Sequence, residues 1–426
     1  MLQGYKSGMI RIGIPPALKH RRFFYLWLGL LISIAGTQMQ IWAIFWHIRT
    51  LTEEPIALGG VGLARILPVI VFSLIGGAVA DSLKRTRILF ITQSSASLLA
   101  ITLGLLTQFG QVTIWHIYLL TALNAVAIAF DGPARQALVP NLVPEKDLPN
   151  AFSMTSIAFQ TGSIIGPALT GIIIAFSGQQ MVYYINGLSF LAVILALILI
   201  GDVPQQLTKS GKAVSWGAIR EGIRFIFNKP IILSTMLLDF VATFFASANT
   251  LMPIVARDVL NVGVMEYGWL SAAQSVGAVL AALVVSQIHE LRRQGPVFLG
   301  SVVVFGAATV LFGMSSSVIL AWCALAVTGA ADAVSTIIRN TIRQLQTPDH
   351  IRGRMTSINQ IFFQGGPQLG EVEAGVVAQL FGAPAAIISG GIACVLGMTI
   401  IVRKWPALLT YNGDEHIRQS SPSAAD

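Results

Sequence analysis

Twelve stretches of about twenty predominantly apolar residues follow one another along this chain, at roughly 23–47, 57–80, 88–107, 113–130, 151–176, 181–200, 231–255, 266–288, 296–314, 318–338, 356–381 and 384–402. About 20 such residues in a helix cross the hydrocarbon of a bilayer. In lipid a backbone can satisfy its own hydrogen bonds only as a helix or a closed barrel, and runs of this length select the helix. Charged residues are 11% of the chain and hydrophobic ones 54%, whereas a soluble domain carries about 25% charge. The surface must therefore face lipid. The expected fold is an all-α integral membrane protein with twelve transmembrane helices in two six-helix bundles.

The cations fix a direction. With the N-terminus inside, the inner connections hold Lys84, Arg85, Arg87, Arg135, Lys146, Lys209, Lys212, Arg220, Arg224, Lys229, Arg292, Arg293, Arg339, Arg343, Arg352 and Arg354, while the outer ones hold only Arg49 and Arg257. This is the positive-inside pattern, and it puts both termini in the cytoplasm. It also accounts for the net charge of +8 without a nucleic-acid partner. The basic first 22 residues are not followed by a short apolar region and a small-residue cleavage site, so no signal peptide is expected. Cys323 and Cys394 lie in separate apolar runs and suggest neither a disulfide framework nor a metal cluster.

The expected organisation is a bundle over 1–200, a cytoplasmic linker over 201–230, a second bundle over 231–402 and a cytoplasmic tail over 403–426. Within the linker, Trp216, Ile219, Ile223 and Phe227 recur at helical spacing between Arg220, Glu221 and Arg224. This predicts an amphipathic helix on the inner leaflet, with an ordinary linker as the other reading.

The two halves repeat. A shift of 204 residues aligns Arg135 with Arg339, Pro144 with Pro348, Phe159-Gln160 with Phe363-Gln364, Gly166 with Gly370 and Gly171 with Gly375. ALGGVGLA at 57–64 resembles EYGWLSAA at 266–273. Internal repeats of this kind are typical of secondary transporters, with sites near the midplane between them.

Three motifs carry further meaning. GAVADSLKRTR places Gly77, Asp81 and Arg85 four residues apart at the connection of spans 2 and 3. Gly77 permits close helix approach, Asp81 can accept hydrogen bonds at a helix N-terminus, and Arg85 can pair with a carboxylate. GSIIGPALTG in span 5 holds Gly162, Gly166, Pro167 and Gly171, a spacing that lets helices pack closely and bend. The third is a set of intramembrane charges: Arg65, Asp239, Asp332, Glu371 and Glu373. Such groups face a cavity or a partner. Residues two apart on a helix point about 200° apart, so Glu371 and Glu373 serve separate purposes unless Gly365, Gly366, Pro367 and Gly370 break the helix. The run TQMQIWAIFWH offers Gln38, Gln40 and Trp42 as further cavity candidates, with Trp46 and His47 either beside them or at the interface.

On the twelve spans, the repeat and the loop motif, the sequence resembles the major facilitator superfamily over nearly its whole length. The resemblance implies alternating access between two bundles, with spans 1, 4, 7 and 10 lining the cavity. It implies that Asp81 contacts the inner end of span 11 and that Arg85 pairs with Asp131 to latch the cytoplasmic side in the outward-open state. The span 5 motif is similar to that of family antiporters and points to export. FDGPARQALVPNLVPEKDLPNA and IRNTIRQLQTPDHIRGRM look like the branch containing the enterobactin exporter and macrolide efflux proteins. In one departure, the arginine that many proton-coupled drug exporters carry in span 4 is absent, and Asn124 is the polar residue there.

No phosphate-binding G-x-x-x-x-G-K-[ST] run, H-E-x-x-H or G-x-S-x-G occurs, so neither ATP drive, a cofactor nor enzymatic chemistry is expected. The reading is a monomeric secondary transporter in a bacterial inner membrane, exporting a hydrophobic small molecule against protons or another coupling ion. A lipid or lysophospholipid mover of the same fold, and a membrane receptor or enzyme, are the alternatives.

Overall fold

The computed structural model describes residues 15–205, 216–246, 248–288 and 292–413. Gly77 and the side chains of Asp81, Trp216, Ile219, Arg352 and Arg354 lie outside that description, as do Lys209, Lys212 and most of the tail. The first six spans are the helices Arg21–Leu51, Pro55–Ser82, Arg85–Gln108, Ile114–Leu138, Leu148–Ser177 and Gln179–Ile200. Span 7 begins as Pro230–Phe245, and spans 8 to 12 are Val264–Ser286, Gln294–Met314, Val318–Gln346, Asp349–Phe381 and Ala383–Lys404. Eleven spans among the described residues are long and apolar enough to cross a membrane by composition alone. Span 11, which carries Glu371 and Glu373, is not among them, although its 33 residues exceed the length required.

The packing repeats as the sequence does. In the first half span 1 packs on 5 and 6, span 2 on 4, and span 3 on 4 and 6. In the second half span 7 packs on 11 and 12, span 8 on 10, and span 9 on 10 and 12, so each pairing recurs six spans later. Two further pairings join the halves: span 2 with span 11, and span 5 with span 8.

Both seams are made by glycine. A Cβ on Gly375 would lie 3.0 Å from the Gly59 Cα, and one on Gly268 would lie 2.8 Å from the Gly171 Cα. Lipid tails are as apolar as leucine, so nothing hydrophobic drives helices together in a membrane. Close backbone approach at small residues supplies the attraction instead. Gly162 and Gly166 do the same within the first half, where span 5 lies against Ile34, Ala35 and Gln38 of span 1. The GSIIGPALTG motif therefore faces two partners: Gly162 and Gly166 towards span 1, Gly171 towards span 8.

Three features depart from the sequence reading. Span 7 is interrupted after Phe245: a 3-10 turn over Ala248–Leu251 and a short helix lead into a π-helical segment at Val255–Val259. Pro253 has no N–H for a residue-249 carbonyl and its ring would collide with it, so a straight helix cannot run through. Span 10 continues to Gln346, well past the expected end at 338, and takes Arg339 and Arg343 out of the connection where their charge had placed them. Span 11 stays helical through Gly365, Gly366, Pro367 and Gly370, with no break.

The helix Trp216–Phe227 forms as its periodicity requires. Ile226 is buried with Ile232, Leu233, Met236 and Met355, whereas Ile223, Phe227, Arg220, Glu221 and Arg224 are exposed.

Bulk at the seams is predicted to be intolerable. Gly268→Val and Gly375→Val are each expected to cost at least about 1–3 kcal/mol, the usual penalty of overpacking. Gly300→Ala, whose Cβ would meet open space, should be silent. Thermal unfolding of the detergent-purified variants measures the difference.

Candidate functional site

Each charged candidate on a span finds a place in this packing. Arg339 is 2% exposed and forms an ion pair with Asp239 of span 7. Its second guanidinium nitrogen lies 3.9 Å from the Asp332 carboxylate and donates to the Thr336 hydroxyl at 2.7 Å. One buried arginine thus stands between two acids that the sequence reading had left separate. Asp239 is 2% exposed, while the Asp332 side chain is half exposed beside a small cavity formed with Ala242, Phe305 and Ser335. Arg343, one turn on, is also buried and bonds Asn340. The sequence signal for this site was present in the repeat, which paired Arg339 with Arg135.

Arg135 occupies the equivalent place in the first half. It forms an ion pair with Asp131, one turn earlier on span 4. Asp131 is 3% exposed and accepts from Gln93 at 2.6 Å and Thr92 at 3.1 Å. Arg85 does not reach Asp131 here. It donates to the Ala137 carbonyl at 2.9 Å and to Asn141 at 2.6 Å. The repeated arginines are therefore both neutralised by a buried acid but draw it from different helices, span 4 in one half and span 7 in the other, and Arg339 has Asp332 of its own span within reach as well.

Glu371 and Glu373 diverge as the helical period dictates. Glu371 faces span 2 of the other half, where Arg65 donates to it at 3.2 Å. Glu373 is half-buried on another face of span 11. A second inter-half ion pair joins Arg49 to Asp258 at 2.7 Å, and Tyr267 donates to the Trp42 carbonyl at 2.8 Å. Sequence reasoning missed Asp258 and Tyr267 and had treated Arg49 as a loop cation; the signal available was that Arg49 and Arg257 stand against the positive-inside trend.

The span 1 candidates separate. Gln38 donates to the Ser163 hydroxyl at 2.8 Å on span 5. Gln40 accepts from Asn186 at 2.7 Å, so it lies inside the first bundle instead of lining a cavity between the halves. Trp42 packs edge-on to Tyr267 across the halves. His47 is buried, with its ring nitrogen 2.9 Å from the Tyr183 hydroxyl, and is not an interfacial residue. Pro167 leaves the Ser163 carbonyl without its helical N–H, and Ser275 of span 8 donates to that carbonyl at 3.0 Å.

The described bonds between the halves run from the ends of the spans remote from the chain termini, at Arg49–Asp258, to mid-span, at Ser163–Ser275. We call those ends the far side. Two bundles related by repeat, in contact along two glycine seams, with charges held inside the spans, form the frame of a carrier. The family described as transmembrane secretion effector (MFS_3) matches residues 14–417. The chain belongs to this family. It is a multi-pass membrane protein of the major facilitator type, a transporter and not an enzyme. It is 26% identical to the multidrug efflux pump Tap of Mycolicibacterium fortuitum, over 83% of this chain and 88% of that one. It is 25% identical to the enterobactin exporter EntS of Salmonella typhi, over 77% and 79%. Its fold is similar to that of a bacterial homolog of the human lysosomal transporter Spinster in an inward-facing, unoccupied conformation, with a TM-score of 0.70, 15% identity, and coverage of 97% and 100%.

Removing one partner of a buried ion pair typically costs about 3–5 kcal/mol, because the other charge is stranded. Asp239→Asn and Arg339→Gln are each expected to fall in that range, and the double variant should lose clearly less than their sum. A double-mutant cycle on thermal unfolding measures the coupling; additive losses would show that the two charges do not act on one another.

Proposed function

We propose that this transporter exports a largely hydrophobic small molecule by alternating access, driven by proton influx, with both termini in the cytoplasm. The observation that carries the reading is the confinement of the described inter-half bonds to the far half of the spans. A carrier closed on that side presents its cavity to the side bearing the termini. The lysines and arginines of the connections mark that side as cytoplasmic. The exposed face of Trp216–Phe227, with Ile223 and Phe227 beside Arg220 and Arg224, suits a helix resting on the inner leaflet. Export is supported by the multidrug efflux pump and the enterobactin exporter among its relatives. The charges inside the spans are few and mostly paired, which suits a hydrophobic cargo.

Coupling falls to the cluster around Arg339. Asp239, Arg339 and Asp332 all belong to the second half, so a proton can join or leave them without parting a seam. Protonation of one carboxylate frees the guanidinium to turn to the other, and the two arrangements differ in which acid faces the cavity. Glu371 is a poor carrier by the same logic. A proton on it while the far side is closed would strip Arg65 of its counter-charge, so the protonated carrier could not easily close. On the other side, Arg85 would move from Asn141 to Asp131 as the cytoplasmic face shuts, completing the latch that the family resemblance implies.

Proteoliposomes loaded with candidate cargo, with and without an imposed proton gradient, provide the test. Efflux of a hydrophobic drug or a siderophore should follow the gradient. Flux indifferent to it would remove the coupling, and transport of lipid or lysophospholipid alone would replace the cargo class. Asp239→Asn and Asp332→Asn should each lower gradient-driven flux at least tenfold, whereas Arg403→Gln, exposed at the end of span 12, should leave it near normal. Equal, near-normal flux in all three would remove the acid cluster from the mechanism.

A further inference from the structure

The two seams between the halves are repeat partners. Gly171 corresponds to Gly375 at a shift of 204 residues, and Gly59 to Gly268 at 209. At the glycine crossings the correspondence holds: Gly59 meets Gly375, and Gly171 meets Gly268. Within two turns of the crossings it fails. Arg65 corresponds to Gln274, and Glu371 to Pro167. Gln274 turns back to Thr328 of its own half, at 3.3 Å. Pro167 carries no charge, and the carbonyl it frees takes the Ser275 hydroxyl instead. The seam of spans 5 and 8 is therefore closed by neutral groups, and the seam of spans 2 and 11 by an ion pair.

That ion pair is held tightly. The Glu371 side chain is 8% exposed and that of Arg65 27%. Gly62 faces the carboxylate so closely that a Cβ there would lie 3.0 Å from Oε2. Among the charges on the elements packed against span 11 are Asp239 on span 7, Arg403 and Lys404 on span 12, and Arg220 and Arg224 on the amphipathic helix. Arg65 is the one described within hydrogen-bonding distance of Glu371, at 3.2 Å. The rim pair is different. Arg49 of span 1 and Asp258 of span 7, whose side chains are 10% and 35% exposed, lie on neither seam. A charge left in the seam without its partner regains solvation when the seam parts and admits water.

We propose that Arg65 and Glu371 form the latch that sets the far-side opening, and that this opening is controlled at one seam instead of being shared equally by both. The latch positions the halves and carries no proton or cargo. It rests on the alternating-access part of the proposed function but not on the identity of the cargo or the coupling ion.

The test reads opening directly. Ala378, near the far end of span 11, is 3% exposed. In the full chain with Cys323→Ser and Cys394→Ala, an Ala378→Cys substitution reports far-side opening by its labelling rate with a membrane-impermeant maleimide applied from the far side. Glu371→Gln should raise that rate by at least about tenfold, the size of population shift that loss of a buried counter-charge supports. Ser275→Ala, on the seam closed by neutral groups, should change it no more than about fivefold, the net worth of one neutral hydrogen bond. The charge-reversed pair Arg65→Glu with Glu371→Arg should return to within about threefold of the parent, which also shows that the fast labelling is not unfolding. The proposal is overturned if Glu371→Gln labels no faster than Ser275→Ala, or if the reversed pair labels as fast as Glu371→Gln. Because the rate is read without cargo or gradient, a chain that shows this pattern but carries no gradient-driven flux keeps the latch and loses the export reading.

Discussion

Two glycine–glycine contacts, Gly59 with Gly375 and Gly171 with Gly268, are what the rest of the molecule depends on. A bilayer offers helices no hydrophobic reason to associate, so the halves adhere only where their backbones come close enough for dispersion and weak polar contacts to add up. Everything that could serve transport is arranged about these crossings. The inter-half charges lie within two turns of one of them or at the far rim, and the intra-half charges lie below both. A crossing made of small residues is also one that can pivot, because no interlocked side chain must be withdrawn when the angle changes.

Charge is the second organising term. The spans carry few ionisable groups, and Arg65, Asp131, Arg135, Asp239 and Arg339 are each held by an opposite charge inside the protein. The two arginines related by the repeat show how this is achieved with different parts. Arg135 takes its acid from its own helix and Arg339 from span 7. The scaffold conserves the cation and the need to neutralise it, while the source of the neutralising group drifts. Asp332 is the exception that gives the second half its chemistry. It stands near Arg339 yet remains half exposed, so one guanidinium has two acids within reach.

Much of this was legible in the residues. The spans follow from length and apolarity, and eleven of them satisfy that test by composition alone. The repeat predicted two like bundles, and the 200° between alternate residues predicted that Glu371 and Glu373 would part company. The errors have a common cause. Hydropathy read Arg339 and Arg343 as the start of a connection because it counts a charge as exposed, and it cannot see an aspartate a hundred residues away that makes burial tolerable. Gln40 was read as a cavity residue for the same reason: its partner, Asn186, is distant in sequence. The interruption of span 7 had a local signal in Pro253, outweighed by the apolar run around it.

The sequence by itself determined that this chain crosses a membrane twelve times, that its halves are copies, and which residues are too costly to leave in lipid unpartnered. Those are consequences of local composition, helical period and spacing. Only the tertiary structure decided who partners whom: Arg65 with Glu371 across a seam, Arg339 with Asp239 within one half, and Ser275 with the carbonyl that Pro167 releases. The reason is physical. In a low-dielectric interior the energy of a charge depends on the few ångströms around it, and those distances are set by helix crossings that bring together residues such as Arg65 and Glu371, 306 positions apart.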